Sequence, residues 1–246
     1  MKLPEYILEI INTINDIGYE AYVVGGCVRD YLLDRSIHDY DICTSAKPEV
    51  ILNLFDRSIG TGFKHGTVTV LSNSPVEITT FRLESEYKDH RHPDSVKYVS
   101  TIEEDLSRRD FTVNAMAYHP SRGLIDPYKG QFDLKAKVIR CVGSPDRRFN
   151  EDALRMLRAY RFCAKLGFSM DETVKKSIDT NASLIQYVSI ERIVHELKEI
   201  METNPQVLAS MTLLLKPVFN ELDLALRCSQ NSIYHYTDVL HHTLDA

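Results

Sequence analysis

A chain of 246 residues with 43% hydrophobic content can bury a substantial core, as one large domain or two modest ones. Lys and Arg number 29 against 35 Asp and Glu, a formal net charge of −6 that argues against indiscriminate coating of nucleic acid. A local basic cleft is still compatible with that balance, and the sparse Gly and Pro without low-complexity runs predict little disorder.

Five cysteines without a CxxC pair fit reduced thiols in a cytoplasmic protein better than a disulfide framework or a zinc site. Charged residues Lys2, Glu5, Glu9 and Asp16 interrupt the N-terminal apolar residues, so neither a signal peptide nor a membrane span is expected there. Ile7, Ile10, Ile11 and Ile14 recur at helical spacing and predict a helix over 4–17, stopped by Gly18. The run 19–24 reads as a strand ended by Gly25-Gly26, and a helix follows in "CVRDYLLD". "HDYDICT" (38–44) reads as a strand, with Pro48 suited to the first turn of the next helix. "GTVTVL" and "VEITTF" flank Ser72-Asn73-Ser74-Pro75 as a hairpin. The first part is therefore mixed α/β, a small sheet carrying helices. From about 148 onward helical periodicity takes over, which places a boundary near 142.

Four stretches carry chemistry. In "VVGGCVRD" two glycines between a strand and a helix let backbone N–H groups approach a phosphate, although many such turns need glycine for shape alone. Arg29 there either contacts a triphosphate or pairs with Asp30 or Asp34. In "HDYDICT" strand alternation puts Asp39 and Asp41 on one face, where two carboxylates repel unless a cation such as Mg²⁺ lies between them. Glu77 joins them if its strand is a neighbour; the plainer reading is a polar edge strand. In "EDLSRRDFTVNAMAY", Asp110 reads as a cap for a following helix, and Arg108-Arg109 as either ligand-binding or a surface ion pair. In "EDALRMLRAYRF", about 100° per residue puts Glu151, Asp152, Arg155 and Arg158 on one arc of a helix, with Arg161 further round. Ala153, Leu157, Tyr160 and Ala164 take the opposite, core-facing side. Salt-bridge support of the helix explains this pattern. So does base reading: a fixed acceptor beside a planar donor fork complements the edges of cytosine and adenine and rejects the reverse order in uracil and guanine.

Taken together, "VVGGCVRDYLLDRSIHDYDICTSA", "GFKHGTVTV", "VEITTFRLESEYKDHRHPDSVKY", "EEDLSRRDFTVNAMAYHP", "GLIDPYKGQFDLKAKVIRCVG" and "RRFNEDALRMLRAYRFCAKLGF" resemble the tRNA nucleotidyltransferases. These are the CCA-adding enzymes of the bacterial and eukaryotic class within the polymerase β superfamily, and the similarity covers most of residues 20–200. The resemblance implies a polymerase β-like α/β head over 1–141, a helical, base-recognising neck over 142–202, and the start of a helical body over 203–246. It implies template-independent addition of CCA to the tRNA 3′ end from CTP and ATP with release of pyrophosphate, by a two-metal mechanism with Mg²⁺. Residue by residue, Asp39 and Asp41 match the catalytic, metal-binding carboxylates. Gly26, Arg29 and Arg109 match contacts to the incoming nucleotide; Asp152 and Arg155 match the base-reading pair, with Arg158 and Arg161 as further nucleotide contacts. "SEYKDHRHP" resembles the flexible loop of members that add the terminal A. "QNSIYHYTDVLHHTLDA" resembles the opening of an HD phosphohydrolase-like domain with His242 as its first ligand, but no His-Asp dyad follows, so these histidines read as structural or as an incomplete site. Bacterial poly(A) polymerase and a catalytically impaired RNA-binding fragment are the alternatives. No membrane partner is expected, and the sequence does not set an oligomeric state.

Overall fold

The computed structural model describes residues 1–84, 96–230 and 237–245. It separates into two compact units, one running to Ala136 and the other starting at Lys137.

The first unit opens with helix α1 (Glu5–Asp16), whose four isoleucines are buried as their spacing requires and whose end is marked by Gly18 at φ 87°. Then come β1 (Ala21–Val24), α2 (Gly26–Leu32), β2 (Asp41–Thr44), α3 (Pro48–Leu54), β3 (Ser58–Gly62), β4 (Thr67–Leu71) and β5 (Pro75–Thr80). A short ribbon of β6 (Arg82–Glu84) and β7 (Val96–Tyr98) precedes α4 (Ile102–Ser107), β8 (Ala117–His119), β9 (Gly123–Ile125) and α5 (Gly130–Ala136).

Seven strands form one sheet in the order β3-β4-β5-β2-β1-β8-β9, antiparallel except for the parallel pair β2–β5. The hairpin expected at Ser72–Pro75 joins β4 to β5, with Leu71 opposite Pro75. All four positions of β1 are buried because both faces of the sheet are covered. On one face Tyr22, Val24, Cys43 and Ala117 pack with Phe81 and with Ile102 and Leu106 of α4. The alternate residues Ala21, Val23, Ile42 and Ile78 fill the other face.

The second unit comprises β10 (Val138–Ile139), α6 (Pro145–Glu151), α7 (Leu154–Leu166), β11 (Ser169–Met170), α8 (Glu172–Asn181), α9 (Ile190–Thr203), α10 (Thr212–Leu215), α11 (Asn220–Arg227) and α12 (Val239–Asp245). Its start lies slightly ahead of the boundary read from sequence because β10 pairs in parallel with β11 and so belongs with the helices. Helices α7 and α9 pack along each other; Leu154, Met156, Leu157 and Ala159 of the first and Ile193 and Ile200 of the second are buried. Near the C-terminus His241 Nδ1 lies 2.6 Å from the Asp238 carboxylate. The loop expected at 85–93 and residues 231–236 and 246 of the HD-like segment lie outside the described residues. Among the described residues no helix is long and apolar enough to cross a membrane.

Candidate nucleotide-binding and catalytic site

Asp41 is the first residue of β2, and the parallel register sets it opposite Glu77 of β5. Residues paired across neighbouring strands direct their side chains to the same face, so the acid suggested as a third carboxylate is Asp41's nearest strand neighbour. That face is the one α4 covers at Tyr22 and Cys43; at Asp41 and Glu77 it is open to solvent. Asp39 departs from expectation. The strand read from His38 begins only at Asp41, because Asp41 pairs with Val24 and the next residue of the partner chain segment, Gly25, leaves the sheet at φ 74°. With no ladder to extend, residues 35–40 run without regular structure, and Asp39 does not share Asp41's face by alternation.

Charge still links the acids. The protein around Asp41 strips part of its hydration and raises its carboxyl above the ordinary carboxylate value; Glu77 raises it further, Arg109 pulls it down, and Asp39 adds a smaller push upward. Among the described residues no three His, Cys, Asp or Glu side chains already converge on one metal-binding point. A pair of facing carboxylates is nevertheless the donor set that Mg²⁺ uses when substrate phosphates and water complete its shell. The residues therefore fit such a cation.

Opposite polarity comes from Arg109. The Gly25 turn needs a glycine twice over: its φ is left-handed, and a Cβ there would lie 3.0 Å from Arg109 Nη1. Gly26 opens α2 directly after it. Arg29 is 5% exposed; it donates from Nε and Nη2 to Asp30, both at 2.8 Å, and from Nη1 to Asn114 Oδ1 at 2.7 Å. Of the open readings for Arg29, the pairing with Asp30 is present. Arg108 and Arg109 do not form a surface ion pair. Both donate to Asp105, whose side chain is wholly buried. Asp110 caps no α-helix: a single 3₁₀ turn (Thr112–Asn114) follows, and the Asp110 carboxylate accepts the Phe111 N–H at 2.8 Å. In this stretch the side-chain cap belongs to α4, where Thr101 accepts from Glu104 N–H. Arg109 Nε is a buried N–H without a hydrogen-bond partner among the described residues.

In the second unit the expected continuous helix is broken. Glu151 ends α6, Asp152 is extended at φ −144°, and α7 starts at Leu154. Asp152 therefore does not lie on one arc with Arg155. Its carboxylate accepts the Leu154 N–H at 3.1 Å and so caps α7, which is why the chain breaks there. Its ion-pair partner is Arg192 of α9, at 2.8 Å and 3.4 Å from its two oxygens. Arg155, 8% exposed, pairs instead with Glu151 at 2.8 Å. Arg147 and Arg148 reach the same Glu151 carboxylate, each at 3.1 Å. Arg161 donates to Glu196 at 2.6 Å and lies 4.5 Å over the Phe162 ring, with Arg158 5.4 Å from that ring. Ala153, Leu157 and Tyr160 are buried as expected.

Comparison with known proteins bears on both units. Residues 21–140 match the family model "Poly A polymerase head domain", and residues 167–226 match "Probable RNA and SrmB- binding site of polymerase A". The chain is 50% identical over 199 residues to a CCA-adding enzyme of Lactobacillus helveticus, covering 79% of this chain and 50% of that one. It is 47% identical over 216 residues to that of Geobacillus kaustophilus, covering 87% and 53%. The chain belongs to the family of the CCA-adding enzymes. A Bacillus stearothermophilus CCA-adding enzyme in complex with CTP superposes with a TM-score of 0.79 at 41% identity, over 86% of this chain and 52% of that one. A Thermotoga maritima CCA-adding enzyme complexed with tRNA does so with a TM-score of 0.73 at 28% identity, over 89% and 54%. The chain spans about half the length of the CCA-adding enzymes it matches.

Three residues around the family's motifs were missed in the sequence. Asp105 carries a local signal, since it precedes Arg108 and Arg109 by three and four residues, the spacing at which helical side chains meet. Arg192 and Glu196 carry none, because only the packing of α9 on α7 brings them to Asp152 and Arg161.

Proposed function

We propose that the protein adds CCA to the 3′ end of tRNA from CTP and ATP, without a nucleic-acid template and with release of pyrophosphate. The observation that carries this reading is the facing pair Asp41 and Glu77, charge-coupled to Asp39 and to Arg109 beside the Gly25 turn. Asp41, with Asp39, would hold a divalent cation, which by ligand preference is Mg²⁺. The cation supplies activation of the tRNA 3′-hydroxyl and neutralisation of charge on the departing pyrophosphate. The hydroxyl oxygen attacks the α-phosphorus in line, the bond to the β-phosphate oxygen breaks, and the hydroxyl proton leaves to solvent. Arg109 and the backbone of Gly26 hold the triphosphate by charge and N–H donation, and Arg29, buried against Asp30 and Asn114, fixes α2 beneath it. Asp152 and Arg155 read the base edge, with Arg158 and Arg161 as further nucleotide contacts. The five cysteines, none of them in a disulfide, suit a cytoplasmic location.

The matched models also carry the poly(A) polymerase name, so that activity is the second reading. Incubating the chain with tRNA lacking CCA, Mg²⁺, and CTP and ATP singly and together separates them. Ordered addition of C, C and A that then stops supports CCA addition. A long tail from ATP alone rejects it, and tRNA retention without incorporation would leave an RNA-binding role.

A further inference from the structure

Asp105 is 0% exposed in the middle of α4, yet it carries a charge. Burial alone would raise its carboxyl; the charges of Arg108 and Arg109, with hydrogen bonds from Arg108 and the Arg82 amide, outweigh burial and hold it below the ordinary carboxylate value. Its two oxygens do different work. Oδ1 accepts from Arg108 Nε at 3.0 Å, from Arg108 Nη2 at 2.8 Å and from the Arg82 N–H at 3.3 Å, which ties α4 to the start of β6. Oδ2 accepts from Arg109 Nη2 at 3.2 Å. That bond is the one hydrogen bond of the Arg109 guanidinium among the described residues. The other terminal nitrogen, Nη1, lies over the Gly25 turn, and the arginine's charge acts on Asp41.

We propose that Asp105 is a positioning residue for nucleotide binding, its Oδ2 holding the Arg109 guanidinium over the Gly25 turn and toward Asp41. The inference rests on the reading of Arg109 as a nucleotide-binding arginine. A guanidinium has several rotatable bonds behind it, and one charge-assisted bond from a rigid, buried acceptor removes most of that freedom before the ligand arrives. Without Oδ2, two neighbouring guanidiniums repel each other, and the one lacking a second anchor swings toward solvent.

Asp105→Asn tests this cleanly. The amide oxygen can still serve Arg108 and the Arg82 amide, but the NH₂ that replaces Oδ2 cannot accept from Arg109. Equilibrium binding of CTP with Mg²⁺, in the absence of tRNA, is measured for the 246-residue chain as wild type, Asp105→Asn, Arg109→Ala and the double variant. We expect each single variant to weaken CTP binding about tenfold, and the double variant to be within about twofold of Arg109→Ala. Losses that multiply in the double variant would overturn the proposal, because a merely structural Asp105 weakens binding independently of Arg109. If Arg109→Ala alone leaves CTP binding intact, the reading of Arg109 falls and the proposal with it. If Arg109→Ala weakens binding while folded Asp105→Asn does not, only the positioning role falls. Should Asp105→Asn melt below the assay temperature, Arg108→Gln carries the test. It leaves Oδ2 to Arg109, so CTP affinity should stay within about twofold of wild type; a loss as large as that of Arg109→Ala would overturn the proposal.

Discussion

The candidate site acids of the two units are held in opposite ways, although Asp105 of the first unit is itself matched to Arg108 and Arg109. In the first, Asp41 faces Glu77 with Asp39 near by, and among the described residues none of the three forms an ion pair. In the second, Glu151 accepts from Arg147, Arg148 and Arg155, Asp152 from Arg192, and Glu196 from Arg161. Like charges left facing one another store unfavourable energy that a cation relieves, whereas an acid already matched to a guanidinium has little use for one. The salt-bridge and base-reading explanations of the arginines in α7 are therefore compatible. Fixed ion pairs hold donors and acceptors at set angles, and a base edge needs set angles.

The largest expected effect breaks the comparison on its first side. Asp41→Ala should lower nucleotide incorporation on the order of a thousandfold, the scale of several kcal/mol of lost metal stabilisation. Its melting temperature should stay level or rise, because the variant removes one of two facing charges. A thermal melt beside the incorporation assay checks both, and chelating Mg²⁺ should reproduce the activity loss in wild type. Full turnover in the variant would remove the metal assignment.

The next effect sharpens the second side. Asp152→Ala should lower the preference for CTP over UTP about tenfold, since a well-placed bidentate contact discriminates between bases by roughly 1–3 kcal/mol. Arg192→Ala should give a smaller drop of the same kind. It leaves the carboxylate with the Leu154 N–H alone and so frees its rotation rather than removing it. Single-nucleotide incorporation with each triphosphate measures the ratio. If neither variant changes it, the acid serves only to cap α7 and bind α9.

How far these features were legible follows from how local they are. The isoleucine spacing of α1, Pro48 at the start of α3 and the Ser72–Pro75 hairpin depend on neighbours in sequence, and each is present. The beginning of β2 depends on where β1 stops, at Val24, rather than on its own composition, so the pattern predicts too long a strand and puts Asp39 on a shared face. The break at Asp152 lay hidden for a related reason. Helical periodicity runs through "EDALRMLRAY" unchanged, and only the cap to Leu154 and the pull of Arg192 show that the chain turns there. Strands β8 and β9, of three residues each, are too short for an alternation to register.

A smaller effect tests the glycine that separates the two kinds of charge in the first unit. Gly25→Ala places a side chain at φ 74° and ψ −125°, a sparsely populated conformation that costs about 1–3 kcal/mol, and sets a methyl 3.0 Å from Arg109 Nη1. Stability should fall by about that amount in a denaturant titration, and CTP binding should weaken as the guanidinium is displaced. A stability loss with unchanged CTP affinity would mean that the turn needs its glycine for shape only.

The smallest effect comes from His119, which belongs to neither group of acids and so calibrates the comparison. Its Nδ1 accepts the Ser121 N–H at 3.2 Å, which only a neutral imidazole can do, and its ring stands edge-on to Tyr22 with centroids 5.3 Å apart. Burial holds its pKa below the ordinary 6.5, the Arg122 charge lowers it further, and Glu20 opposes them. With the folded value below the unfolded one, the unfolded chain takes up the proton first as pH falls. The stability linked to His119 is thus complete above pH 6.5 and is lost as pH drops through the lowered folded value. His119→Gln should flatten the stability–pH curve just below pH 6.5, read by denaturant melts at a series of pH values. Because His119 is acted on by Tyr22, Ser121, Arg122 and Glu20 rather than by Asp41 or Glu77, the difference between wild type and variant should be the same with and without Mg²⁺. A difference that shifts on adding Mg²⁺ would show that the imidazole and the Asp41–Glu77 pair are energetically coupled, and the clean division between cation-seeking and already-paired groups would no longer hold.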